Sequence, residues 1–199
     1  MTGPLVLASA SPTRARLLRD AGVEFEAVRP AVDEDEAKPA LRAAGAAPRD
    51  QADALAEMKA LAVSRRLPGR LVLGADQVLD LSGEAFDKPA SLAEARDQLI
   101  RLRGQRHVLH SAAVVAENGA PIWRHVGRAR LHMRAFSDAF LDNWLARVGE
   151  EALGSAGGYR IEGLGVQLFD RIEGDWFAIL GLPMMELLAW LRIRGDLPA

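Results

Sequence analysis

The apolar positions of this chain recur with two periods, and their alternation lays out its elements. Leu5, Val6 and Leu7 form a short continuous apolar run, which predicts a buried strand. Ser11 and Pro12 open a helix, Ser11 as N-cap and Pro12 at the first helical position, where its missing N–H costs nothing. Leu17 and Leu18 begin that helix's apolar face, and Gly22 stops it. VEFEAV at 23–28 alternates apolar and acidic residues as a half-exposed strand does. Between Asp50 and Arg66 the spacing is helical: Leu55, Met58, Leu61 and Ala62 share one stripe, with Asp50 as N-cap. LVLGADQVLDL at 71–81 is the strongest buried strand, apolar except at Gly74, Asp76 and Gln77.

The second half continues the alternation. SGE at 82–84 reads as a turn, and Ser91 with Glu94 is a capping box opening a helix on Leu92, Ala95, Leu99 and Leu102. A strand at 107–116 and a return strand at about 121–133 flank Asn118-Gly119, a hairpin turn. Ser137 caps a helix whose apolar face carries Phe140, Leu141, Trp144, Leu145 and Val148, closed by Gly149. A glycine-rich loop fills 154–165, VQLFDRI and WFAIL read as a second hairpin, and Pro183 near N1 starts a final apolar helix. Strands alternating with helices, plus two hairpins, predict an α/β fold: a mixed β-sheet flanked by helices.

Composition narrows the class. The chain has 199 residues, room for one α/β domain or two closely packed lobes, and 49% of them are hydrophobic. A net charge of −2 gives no basic field for nucleic acid, so an anionic ligand needs local lysines and arginines. There is no cysteine, which removes disulfides, thiolate metal ligands and thiol nucleophiles. The N-terminal stretch lacks a basic, long apolar leader, and no run reaches the ~20 apolar residues of a membrane span. A soluble cytoplasmic protein, with no nucleic acid or membrane as partner, is the expectation.

Three places carry candidate chemistry. A helix N-terminus after a buried strand offers N–H donors and a positive dipole end; here Ser9, Ser11, Arg14 and Arg16 surround it. It reads equally as a phosphate site and as an ordinary capped helix. The acidic run Asp33–Glu36 reads as a solvated loop, or as a source of cation ligands if it lies beside that site. Asp76 sits in a strand where an uncompensated carboxylate is expensive, two residues after Gly74. It reads as functional, the alternative being a strand-end Asp that meets solvent or caps a turn. Lys59 beside the helix stripe reads as a snorkelling surface lysine. His107 and His110, three apart in a strand, face opposite sides and make a poor metal pair.

Taken in order, these stretches resemble the Maf family of nucleotide pyrophosphatases. LASASPTRARLL resembles its opening strand-turn-helix, VDE at 32–34 its acidic motif, LAEMKA at 55–60 its helix lysine, GADQV at 74–78 its central aspartate and DKP at 87–89 its second lysine. GQRHVLHSAAV, AGGYRIEG and GDWFAILGLP resemble the later motifs, so the likeness covers nearly the whole of 1–199 as a single domain. The resemblance implies a Maf/ITPase-like fold of two lobes around a central cleft. It implies hydrolysis of a nucleoside triphosphate to monophosphate and pyrophosphate with a divalent cation, Mg²⁺ or Mn²⁺. Asp76, Lys59 and Lys88 would be catalytic, Ser9, Ser11 and Arg14 would hold phosphate, and Glu34 and Asp76 would bind metal. A homodimer acting on a small nucleotide is implied as well.

Departures from one branch of that family bear on the base. Thr13, Gln77 and Glu162 stand at base-recognition positions, and the Gln77–Glu162 combination is similar to the branch preferring 7-methyl-GTP. A carboxylate only accepts hydrogen bonds, which suits guanine's adjacent N–H donors; a glutamine both donates and accepts and suits a pyrimidine. The alternatives are the dTTP/UTP preference of the other branch and a non-catalytic nucleotide-binding regulator of septum formation.

Overall fold

A computed structural model describes residues 3–198. The strands are β1 (Leu5–Ala8), β2 (Phe25–Val28), β3 (Val72–Leu81), β4 (Glu84–Phe86), β5 (Arg106–Glu117), β6 (Ala120–Met133) and β7 (Phe169–Gly174). The helices are α1 (Pro12–Asp20), α2 (Glu34–Ala43), α3 (Pro48–Ser64), α4 (Leu92–Leu102), α5 (Asp138–Val148), α6 (Trp176–Ile179) and α7 (Met184–Arg194), with three short 3-10 turns between 149 and 168. The sheet has seven strands in the order β2-β1-β3-β5-β6-β7, with β4 paired to β3. β1 runs parallel to β2 and β3, while β3–β4 and β6–β7 are antiparallel, so the expected mixed α/β sheet is what the chain forms.

The chain divides into two compact units. The first takes the chain up to Gln77, His110–Arg128 and the chain from Asp175 onward; the second takes Val78–Leu109 and Ala129–Gly174. The boundaries fall inside β3, β5 and β6. The first unit packs α1 and α7 on the sheet through Leu17, Leu18, Leu5, Leu7, Leu73, Leu187 and Leu191. Each fully buried leucine contributes about 2 kcal/mol. The second unit buries Leu99, Leu102, Leu131, Leu141 and Trp144, whose indole N–H donates to the Leu164 carbonyl at 2.9 Å.

Most element boundaries follow the local chemistry. Ser11, Ser91 and Ser137 each cap the helix they precede through the side-chain oxygen. The tight turns use the left-handed region at Ser82-Gly83 and at Asn118-Gly119. Three expectations need correction. The acidic run is not a loop: Asp33 caps α2 by accepting from the N–H groups of Asp35 and Glu36, and Glu34, Asp35 and Glu36 fill the first turn. Negative charge there complements the helix dipole, which favours helix over loop. Asp50 is not the N-cap of α3, because Pro48 starts the helix two residues earlier. WFAIL is not a strand: Asp175 accepts from the N–H groups of Phe177 and Ala178 and turns the segment into α6, leaving β7 to pair with β6. Pro183 takes the cap position of α7, next to its first helical residue, as expected.

His107 and Tyr159 anchor the second unit's interior. They share a hydrogen bond of 2.7 Å between Nε2 and the hydroxyl, and Phe169 packs against both rings. Burial drives the His107 imidazole from 6.5 down to about 4, with the charge of His132 adding to it. Burial likewise pushes the Tyr159 phenol up. The unfolded chain therefore binds a proton at His107 that the native chain refuses. Stability is fully present above pH 6.5 and falls as pH drops towards 4, by about 3 kcal/mol over the window. Urea unfolding at pH 7.5 and 4.5 tests this against His107→Gln. The substituted chain should lose about 2–3 kcal/mol less between the two pH values; equal losses would show that His107 does not titrate on unfolding.

Candidate active site

The opening strand and helix build the first half of the site. β1 is wholly buried and delivers Ser9 to its end, 7% exposed. Ser9 Oγ accepts from the Ser11 N–H at 3.1 Å and from Arg14 Nη1 at 3.3 Å; Ser11 Oγ accepts from the Arg14 N–H at 3.3 Å. Both hydroxyls thus accept through oxygen and keep their own O–H for an anionic ligand. Arg14 Nε donates to the Gly181 carbonyl at 2.8 Å, which fixes the plane of the guanidinium. Burial lowers the Arg14 pKa, and the carboxylates of Asp76 and Glu34 oppose that shift. Thr13 lies partly buried in the first turn of α1, and Arg16 is exposed further along it.

The second half comes from α2, α3 and β3. Lys59 is not a surface lysine. It is 6% exposed, and its Nζ bridges Asp76 Oδ1 at 2.6 Å and Glu34 Oε1 at 2.7 Å. Asp76 is 7% exposed, so the pair is desolvated. Removing Lys59 would leave the buried Asp76 carboxylate uncompensated, at a cost of about 3–5 kcal/mol. Glu34 is held below the ordinary carboxylate range. Burial works against its charge, but Lys59 and then Lys38 outweigh it. Lys38 meets Glu34 Oε2 at 3.3 Å. Sequence reasoning missed Lys38, although Glu34 and Lys38 stand at i,i+4 on one helix and so had a legible signal.

Gly74 makes this convergence possible. A Cβ there would lie 2.2 Å from the Ala56 carbonyl oxygen and 2.5 Å from the Ala60 nitrogen. Its absence lets β3 lie directly against α3, bringing Asp76 to Lys59. Gln77 points elsewhere. Its Nε2 lies 2.9 Å from each of Ser111 Oγ and the carbonyls of Ala178 and Ile179, and Ser111 Oγ donates to the Ala178 carbonyl. The Ala178–Gly181 turn therefore anchors both Gln77 and Arg14 through backbone oxygens. Sequence gave no sign of Ser111, because its partner is 67 residues away.

Ser9, Ser11, Arg14, Glu34, Lys59 and Asp76 are thus gathered in the first unit. Lys88 and Glu162 belong to the second. Lys88 is exposed in the segment between β4 and α4, and Glu162 Oε1 accepts from Arg160 Nη2 at 3.2 Å. Among the described residues no three His, Asp or Glu side chains form a metal cage. Two carboxylates fit a different mode, in which magnesium is held by one or two carboxylates together with substrate phosphates. Glu34 and Asp76, which converge on Lys59, are the residues that could provide such a pair. A groove of about 530 Å³ between α2 and α3 is lined mostly by apolar side chains, among them Ala37, Ala40, Met58 and Leu61, with Asp33, Glu36 and Arg65 as its charged groups. No helix among the described residues is long and apolar enough to cross a membrane.

The chain is similar to known proteins over nearly its whole length. The family model described as Maf-like protein matches residues 4–193. A nucleoside triphosphate pyrophosphatase of Caulobacter vibrioides is 58% identical, over 98% of this chain and 97% of its own. Proteins of the same name from Ruegeria pomeroyi and Roseobacter denitrificans are 52% and 50% identical, over 98% and 100% of both chains respectively.

Proposed function

This chain belongs to the Maf-like protein family and is a nucleoside triphosphate pyrophosphatase, and from that premise we propose that it cleaves the α–β phosphoanhydride on the Lys59–Asp76–Glu34 cluster with a divalent cation. The observation that carries the reading is the buried lysine held between two carboxylates, beside an arginine whose orientation is fixed. A triphosphate brings about four negative charges, and cleavage adds more on the leaving pyrophosphate, so catalysis is mostly positioning and charge stabilisation. Ser9, Ser11 and the N-terminus of α1 hold phosphate oxygens, and Arg14 offers its outer nitrogens to them. Asp76 takes the proton of the attacking water, with Lys59 steadying the carboxylate. Mg²⁺ or Mn²⁺ bound through Glu34 and Asp76 would polarise the phosphoryl group and acidify that water. Lys88 supplies a further cation for pyrophosphate.

A panel of canonical and modified triphosphates with Mg²⁺ or Mn²⁺ tests this by pyrophosphate release. Turnover of at least one nucleotide, lost on chelation, is expected. Release from none of them, or full activity in chelator, sinks the cation-assisted reading.

On the same proposal the base is guanine, with 7-methyl-GTP preferred. The support is chemical: a carboxylate such as Glu162 only accepts hydrogen bonds, and its Oε1 accepts from Arg160 Nη2 at 3.2 Å. Methylation at N7 makes the base cationic and strengthens pairing to a carboxylate. Thr13 stands in the same opening turn as Arg14 and is the proposed neighbour of the nucleoside. The structure adds nothing for Gln77 as a base reader, since its Nε2 is engaged by Ser111 and the α6 carbonyls. Glu162→Gln should lower the 7-methyl-GTP to UTP ratio of kcat/KM about tenfold, the value of one charge-assisted hydrogen bond. An unchanged ratio would take Glu162 out of base recognition while leaving the reaction untouched.

A further inference from the structure

Gln98 lies in the middle of α4 and is 8% exposed, on the face that also carries Ala95, Leu99 and Leu102. A buried carboxamide costs free energy unless its donors and acceptor are met. Here three segments meet them. Nε2 donates to the Asp87 carbonyl at 3.1 Å and to Glu94 Oε1 at 3.4 Å, and Oε1 accepts the Gly157 N–H at 3.0 Å. The other oxygen of Glu94 accepts the Ala90 N–H at 2.9 Å, which closes the 87–90 segment from its far side.

Each half of the amide reaches a different loop. The Asp87 carbonyl shares its peptide plane with the Lys88 nitrogen, so the donor bond sets the direction in which Lys88 leaves the chain. The acceptor bond pins Gly157, whose φ is +81° and whose absent Cβ would stand 2.6 Å from the Leu79 side chain. That loop runs on through buried Tyr159 and Ile161 to Glu162. Packing alone gives no reason for an amide here, since a side chain of the same size without polar atoms would fill the space between Ala95 and Leu102.

We propose that Gln98 is a positioning residue for Lys88 and Glu162. Its donor half aims Lys88, and its acceptor half fixes the loop that presents Glu162. This rests on Lys88 and Glu162 being site residues, as in the function proposed above. Three variants of the full chain test it, Gln98→Glu, Gln98→Met and Lys88→Ala, each with kcat, KM and the 7-methyl-GTP to UTP ratio of kcat/KM.

Gln98→Glu keeps the acceptor for Gly157 and loses the donor for Asp87. It should lower kcat about tenfold, with KM and the base ratio near wild type. Gln98→Met loses both bonds, so the base ratio should move as well, by about fivefold. A lower melting temperature with wild-type kcat and base ratio in both variants would mean that Gln98 only packs, and would overturn the proposal. Lys88→Ala reads the premise separately. If it turns over like wild type, Lys88 is no site residue and the functional reading is at fault. If it is slow while both Gln98 variants behave as wild type, that reading stands and this inference falls.

Discussion

Asp76→Asn is expected to lower pyrophosphate release by about 10³-fold at saturating nucleotide and cation, within the range for loss of a general base. The replacement keeps the volume and an acceptor oxygen for Lys59, 2.6 Å away, and removes the charge. Three things go with that charge: the proposed acceptance of a proton from water, half of the proposed hard-oxygen pair, and one of the two anions that hold Lys59. Lys59 keeps Glu34 at 2.7 Å, so the buried ammonium is not stranded. The melting temperature should therefore stay within a few degrees of wild type, which separates loss of chemistry from loss of fold. Initial rates together with thermal melting check it. A fall of less than tenfold with an intact fold would take Asp76 out of the chemistry.

Gly74→Ala is the change expected to damage the fold most, by about 3 kcal/mol or more, seen as a melting temperature roughly 10 °C lower. The new methyl would meet the Ala56 carbonyl oxygen, the Ala60 nitrogen and the Ala60 Cβ at 2.2, 2.5 and 2.9 Å. Two of these are backbone atoms of α3, which no rotamer change moves, so the helix must retreat from β3. Pairing with Ala60→Gly removes only the third contact and should not rescue. The retreat also separates Lys59 on α3 from Asp76 on β3, so activity should fall further than the stability loss explains. Wild-type melting and activity would show that α3 can shift freely and that Gly74 does not set the site's geometry.

The alternation of apolar runs was enough to locate β1, α1, β2, β3, α4, β5, β6 and α5 to within a residue or two. Each has a local cause: a continuous apolar strand, a serine cap, a terminal glycine. The acidic run and WFAIL were misjudged for one reason. Asp33 and Asp175 act as caps, and a cap competes with the loop and strand readings only when the following residues can close a turn. Aspartate before an acidic or aromatic stretch does not announce that in a single sequence.

The candidate site divides the same way. Ser9, Ser11 and Arg14 are neighbours along the chain, so the opening cradle was legible from residue order. The odd carboxylate in β3, with glycine two residues before it, marked Asp76 because burying an unpaired charge is expensive. The partner that compensates it was legible only through the family resemblance, not from the spacing of its own helix. Lys59 looks like any lysine beside a helical stripe; only the packing of α3 on β3, across the missing Cβ of Gly74, buries it between Asp76 and Glu34. The same holds for Gln77 and Ser111, whose bonds to the α6 carbonyls span about a hundred and 67 residues respectively. Sequence by itself determined most of the elements, their order and the residue types able to carry the chemistry, because these follow from periodicity and from the cost of burying polar groups. Tertiary structure decided which of those groups meet, because ion pairing and backbone contact act over a few ångströms between segments that chain order leaves far apart.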